Sequence, residues 1–139
     1  MVRERLLRLL SDGSPPPGRA APEALVACAP DDFHENGALT VAVRLVALGW
    51  RVTWLGAATP LGDLDKACRT RRPHAVLVSA TTDASFAACR EGLLAFARRW
   101  AGAFELRVGG GGTPEQDDEL ADAGVQLSRH WSPPKTPAA

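Results

Sequence analysis

Two rhythms of apolar residues alternate along the chain. Short continuous runs occupy 25–29, 51–57, 75–80, 104–108 and 125–127, each bounded by proline, glycine or charged residues. Runs of this length read as strands, and Ala75-Val76-Leu77-Val78-Ser79-Ala80 reads as one buried on both faces. Between them, apolar residues recur every three or four positions. Leu39, Val41, Ala42, Leu45 and Val46 predict a helix over 38–48, with Gly49 as its stop. Thr59 as cap and Pro60 in the first turn open a second helix that runs to about Arg71, with Pro73 ending it. Thr82 or Asp83 caps a long helix to Trp100, and 114–123 forms a fourth.

The flanks differ from this core. Residues 2–10 suit a short amphipathic helix, with Leu6, Leu7 and Leu10 on one side and Arg3, Arg5 and Arg8 elsewhere. It either docks on its own domain or meets a partner. Residues 11–22, with Pro15-Pro16-Pro17-Gly18, read as an extended linker. Residues 132–139 carry three prolines and read as a frayed, disordered tail. The expected organisation is therefore a helix and linker over 1–22, one domain over 23–131 and a tail.

Strands alternating with helices demand a parallel sheet covered on both faces. The α/β arrangement expected is doubly wound and flavodoxin-like (Rossmann-like), five-stranded, in the order 2-1-3-4-5. In that order ligands bind beyond the carboxyl ends of the first and third strands, where Asp32, His34 and Ser79 fall.

Composition narrows the function. Lysine plus arginine equals aspartate plus glutamate at 16 each, so the basic surplus of a nucleic-acid binder is missing and no direct nucleic-acid partner is expected. The 3 cysteines, Cys28, Cys68 and Cys89, are widely spaced and form no Cys-x-x-Cys, so neither a zinc ribbon nor a redox pair is indicated. No apolar run approaches the ~18 residues of a membrane span, and the N-terminus lacks a secretory signal pattern. A soluble cytoplasmic protein without membrane contact is expected.

The first strand empties into Asp32-Phe33-His34-Glu35-Asn36-Gly37. An imidazole with a carboxylate two residues before it is how proteins prepare a metal ligand. The turn lacks the glycines of a dinucleotide fingerprint, and the chain has no Gly-Lys-Ser/Thr phosphate loop. A phospho-receiver domain would need an aspartate where Ser79-Ala80-Thr81 stands and a lysine where Ser128-Arg129-His130 stands.

The residues that remain resemble the cobalamin (vitamin B12)-binding domain. Its Asp-x-His-x-x-Gly motif matches Asp32, His34 and Gly37. Its Ser-x-Leu follows after the family's usual interval as Ser79-Ala80-Thr81, and its Gly-Gly likewise as Gly109-Gly110. The resemblance covers about residues 23–130. Thr81 departs from the usual leucine, a change expected to alter packing around the cofactor's tail more than to abolish binding.

The resemblance implies a base-off cofactor, with the dimethylbenzimidazole base displaced from cobalt into a slot and His34 as the lower axial metal ligand. Asp32 would accept the proton of the other ring nitrogen and relay it to Ser85. Phe33, Glu35 and Asn36 belong to the same binding turn. Gly37 would let the first helix start close to the cofactor. Ser79 would hydrogen-bond a ring nitrogen of the base, and Thr81 would border it. Gly109, Gly110 and Gly111, with Gly112, would let the tail lie on bare backbone, the extra glycines widening the opening. His74 and His130 read as surface residues and Trp50 and Trp54 as packing residues; Trp100 and Trp131 have no assigned role.

Three uses of such domains separate by sequence. Methyl carriers usually read Asp-x-His-Asp-x-Gly-Lys-Asn, which Ala38-Leu39 and Glu35 do not match. Mutases place the domain beneath a barrel, and none is present. B12-dependent, often light-sensing regulators related to the MerR factors share Ala27-Cys28-Ala29-Pro30, His34-Glu35-x-Gly37, Gly49-Trp50-x-Val52-x-x-Leu55-Gly56 and Thr59-Pro60. The reading is a stand-alone cobalamin sensor or carrier module, not an enzyme by itself, taking adenosylcobalamin, methylcobalamin or hydroxocobalamin. With neither a helix-turn-helix nor a helical bundle, a protein partner, a second copy or helix 2–10 would cover the upper corrin face. The alternative is the corrinoid subunit, carrying methyl or adenosyl, of a B12-dependent methyltransferase or mutase.

Overall fold

In the computed structural model, which describes residues 2–16 and 18–137, the apolar runs pair into one parallel sheet. Met1, Pro17, Ala138 and Ala139, parts of the expected lead, linker and tail, lie outside the described residues. Strands β1 (Glu23–Cys28), β2 (Arg51–Gly56), β3 (Ala75–Ser79), β4 (Glu105–Gly109) and β5 (Val125–Ser128) stand in the order β2-β1-β3-β4-β5, as the sequence predicts. The helices are α1 (Val2–Asp12), α2 (Asn36–Ala47), α3 (Leu61–Arg71), α4 (Asp83–Arg99) and α5 (Asp118–Asp122).

Successive strand residues point to opposite faces, so the apolar residues of β1 and β3 feed two cores. Leu25, Ala27, Val76, Val78, Leu106 and Val108 pack with α3, α4 and α5. Ala24, Val26, Cys28 and Leu77 pack with α1 and α2. Trp50 is buried and Trp54 half-buried in that second core, as packing residues. Among the described residues, the second core receives nothing from β4 or β5. Arg107, paired in register with Leu77, replaces an apolar residue there.

Helix α1 docks on its own domain, the first of its two expected readings: Leu10 is buried and Leu6 and Leu7 pack on the second core. Arg3 forms an ion pair with Glu35. The linker is tied down where Arg51 donates to the carbonyls of Pro15, Pro16 and Arg19.

Three local expectations are corrected. Pro60, not Thr59, caps α3, and the Thr59 hydroxyl donates back to the Gly56 carbonyl at 3.0 Å. Helix α5 starts at Asp118 rather than 114, because the Asp117 carboxylate, gripped by Arg90 at 2.7 and 2.8 Å, accepts from the Leu120 N–H. The tail does not fray from Ser132 to Pro137. Arg107 donates to the Ser132 hydroxyl at 2.8 Å, the Lys135 N–H reaches Glu105, and Pro134 is buried.

Candidate cofactor site

The site begins in the turn that ends β1. Asp31 takes a left-handed conformation (φ 63°), and the Asp32 N–H closes the turn on the Ala29 carbonyl at 3.0 Å. The carboxylate of Asp32 is thereby directed inward, 2 % exposed. A buried carboxylate must be satisfied by donors, and this one is. Oδ1 accepts from the His34 backbone N–H at 3.0 Å and lies 3.1 Å from His34 Nδ1. Oδ2 accepts from the Thr81 N–H at 2.6 Å and from the Ser85 hydroxyl at 3.0 Å. The Thr81 hydroxyl lies 2.9 and 2.8 Å from the two oxygens.

Burial alone would raise the Asp32 pKa. The N–H groups of Thr81 and His34, with the Thr81 hydroxyl and the imidazole, outweigh it and hold the value at about 2, against 3.8 for a free side chain. Asp32 is therefore ionised at neutral pH and acts only as an acceptor. In the neutral imidazole, the donor facing that carboxylate is Nδ1–H, which leaves Nε2 with its lone pair. The His34 side chain is 73 % exposed, so that nitrogen is presented outside the domain on a fixed ring.

Ser85 has a second duty: with Thr82 it closes a capping box at the start of α4. The α4 N-terminus and the Asp32 network are thus one assembly. Thr81 does more than border the cleft. Its hydroxyl reaches both Asp32 and, at 3.1 Å, His34 Nδ1; leucine could make neither contact, so the departure adds a polar group beside the imidazole.

Beside this turn a cleft of about 300 Å³ opens at the carboxyl edge of the sheet. Gly37, Ala38 and Val41 of α2 form one wall, and Val26, Leu77, Val78 and Ser79 form the floor. Thr81 and Gly109, Gly110 and Gly111 border it, while Arg107, Ser128, Arg129 and Trp131 close the far side. Thr81 belongs to both cleft and carboxylate network. The Ser79 hydroxyl has no hydrogen-bond partner among the described residues, whereas its carbonyl accepts from the Ala29 N–H.

Of the site residues expected from sequence, Asp32, His34, Thr81 and Ser85 come together at one point. Gly37, Ser79, Thr81, Gly109, Gly110 and Gly111 line the cleft. Phe33, Glu35 and Asn36 do not line it: Phe33 is 72 % exposed, Glu35 pairs with Arg3, and the Asn36 carbonyl accepts from Thr40. Val26, Val41, Leu77, Arg107, Arg129 and Trp131 escaped sequence reading as cleft residues. Val41 is one turn beyond Gly37 and could have been found by helical spacing; the arginines gave no signal.

The glycine run needs a correction too. A Cβ on Gly110 would lie 2.4 Å from the Ala80 carbonyl oxygen, and one on Gly112 would lie 1.9 Å from that of Thr82. These two glycines let the β4 loop interlock with the β3 loop rather than widen an opening. Gly112→Ala should therefore destabilise the fold by about 3 kcal/mol, the upper range for overpacking, lowering Tm by roughly 10 °C. Gly37→Ala meets nothing within 4 Å and should be neutral or stabilising by up to about 1 kcal/mol in a thermal melt.

The three cysteines are buried free thiols. Burial, reinforced by Asp32 and Glu35, pushes Cys28 up to about 12, so it is no reactive group despite lying under the turn. Among the described residues no cluster of three or more His, Cys, Asp or Glu could hold a bare metal ion, and no helix is long and apolar enough to cross a membrane.

Comparisons with known proteins place the chain in a family. Residues 22–130 match the family model of the B12 binding domain. The HTH-type transcriptional repressor CarA of Myxococcus xanthus is 38% identical over 131 residues, covering 92% of this chain and 43% of the repressor; the chain thus spans less than half of that relative's length. A cobalamin-binding protein from Desulfitobacterium hafniense superposes with a TM-score of 0.65 at 20% identity, over 78% of this chain and 53% of the other. The methanol:cobalamin methyltransferase complex MtaBC of Methanosarcina barkeri gives 0.64 at 20%, over 85% and 45%. These two likenesses establish the flavodoxin-like cobalamin-binding fold. With the family model matched over nearly the whole ordered core, the chain belongs to the B12 binding domain family, and cobalamin is its cofactor.

Proposed function

We propose that the chain holds cobalamin base-off, with His34 as the lower axial ligand of cobalt, and serves as a B12 sensor module acting through a partner. The observation that carries this is the Asp32–His34 pair: a buried, ionised carboxylate fixes Nδ1–H and leaves a solvent-facing Nε2 beside an apolar cleft. The residues fit the group. A metal already held by a macrocycle needs one imidazole rather than a ligand cluster, and a displaced aromatic base needs an apolar slot with a free hydroxyl.

Bound cobalamin supplies a cobalt–carbon bond that light or an acceptor can break. The chain's own residues do the rest. Asp32 keeps the proton on Nδ1 and raises ring basicity; Thr81 and Ser85 hold Asp32. Val26, Val41 and Leu77 exclude water from the tail's base, and Ser79 offers it a donor. Phe33, Glu35, Asn36 and the glycines 109–111 border the cofactor. Similarity to CarA favours the sensor role, and balanced charge favours action through a partner or second copy over direct nucleic-acid binding. The setting is cytoplasmic, the cofactor is adenosylcobalamin, methylcobalamin or hydroxocobalamin, and the partner covers the upper corrin face.

Likeness to a methyltransferase complex supports a second reading, a corrinoid subunit carrying methyl or adenosyl for a catalytic chain. Full-length protein mixed with hydroxocobalamin should give a base-off, histidine-on spectrum, and a base-on spectrum would overturn the ligation. Selective adenosylcobalamin binding with a light-dependent change of assembly supports the sensor. Methyl transfer to an added acceptor, without light response, would replace it by the carrier.

A further inference from the structure

The far wall of the cleft is built by a segment beyond the residues that match the family model. Trp131 lines the cleft, whereas the match ends at residue 130. Among the described residues no helix packs on β4 or β5 on this face, and residues 131–137 make contact there. They are anchored by Arg107 to Ser132 and by buried Pro134. The indole is fixed from the opposite wall: the Arg44 guanidinium of α2 lies 5.3 Å from its ring centroid. Arg44 follows Gly37 and Val41 along the helix, so α2 supplies both a wall of the cleft and the cation that holds the indole. The Trp131 Nε1–H is buried without an acceptor among the described residues. An indole N–H in that state is normally paired, so the indole keeps an unmet hydrogen bond.

We propose that Trp131, held by Arg44, is the aromatic wall against which the planar base of the corrinoid's nucleotide tail packs, and that it makes this chain selective for tail-bearing corrinoids. The inference rests on the cobalamin reading above. The floor of Val26 and Leu77 supplies flat apolar contact on one side, and Trp131 is the sole aromatic side chain bordering the cleft among the described residues. Stacking of a base on an aromatic ring is tolerant of base identity but absent for a corrinoid without a base.

The test titrates the full chain with cobalamin and with cobinamide, which lacks the nucleotide, following the corrin absorption spectrum. Wild type should bind cobalamin more tightly than cobinamide. W131A should weaken cobalamin binding about 10-fold or more and leave cobinamide within about 2-fold, collapsing the selectivity. W131L, which keeps apolar bulk and protects the fold, should behave like W131A, and W131F should retain most of the selectivity. Unchanged cobalamin affinity in W131L, or equal losses for both corrinoids, would overturn the role of Trp131 while leaving the cobalamin reading intact. Wild type that binds neither corrinoid would overturn that reading itself.

Discussion

Replacing His34 by alanine is expected to remove the lower axial ligand while leaving the fold intact. The side chain is 73 % exposed and packs into neither core, so thermal melting should shift little. Cobalamin affinity should fall by at least the ~10–100-fold that loss of an outer-shell partner costs at metal sites. The cobalt(II) form should lose the nitrogen hyperfine coupling that the wild type shows in electron paramagnetic resonance. An unchanged spectrum and affinity in His34→Ala would mean that another group ligates the metal, and the whole orientation of the cofactor would need revision. Exogenous imidazole should partly restore the wild-type spectrum, since the ring's place is open to solvent.

Asp32→Asn acts on both stability and binding. The carboxylate accepts from five donors: the His34 N–H, the imidazole, the Thr81 N–H, and the hydroxyls of Thr81 and Ser85. An amide offers a single acceptor oxygen and turns an NH2 toward the remaining donors. One or more buried donors is left unpaired, at about 1–3 kcal/mol, and the affinity loss should be ~10–100-fold. The acid limb of stability changes as well. The Asp32 pKa is about 2 in the fold against 3.8 free. A depressed carboxylate contributes stability that is complete above the free value and lost as pH falls through the folded one. Its loss between about pH 4 and 2 amounts to about 2 kcal/mol. Asp65, held by Arg99 and Trp100, and Asp117, held by Arg90, are lowered too and act in the same direction. Denaturant titrations at pH 4 and pH 2 should therefore differ less in Asp32→Asn than in wild type; an identical difference would remove Asp32 from the acid response.

The topology was legible because strand and helix periodicities alternate without interruption from β1 to β5, and a parallel sheet has few ways to connect them. The Asp32–His34 contact was legible for a local reason: two residues apart on one turn, they can hardly avoid each other. Thr81 was not, since its hydroxyl reaches a carboxylate contributed 49 residues earlier and the substitution for leucine read as a packing change. The start of α5 escaped because Arg90, far away in sequence, fixes its cap. Composition also misled at the C-terminus. Three prolines read as a frayed tail, yet a strip of sheet without a helix and with a half-buried arginine gives such a segment somewhere to lie.

The interlock of Gly110 and Gly112 with the carbonyls of Ala80 and Thr82 divides the cleft into two sides with different evolutionary freedom. On one side a side chain added at Gly110 or Gly112 collides with backbone, and each such change carries a stability cost like that expected for Gly112→Ala. On the other, Val41, Arg129 and Trp131 are held by side-chain contacts alone and can be exchanged one at a time. Laboratory selection for a different corrinoid tail should therefore return substitutions on that side and leave the glycine loop untouched.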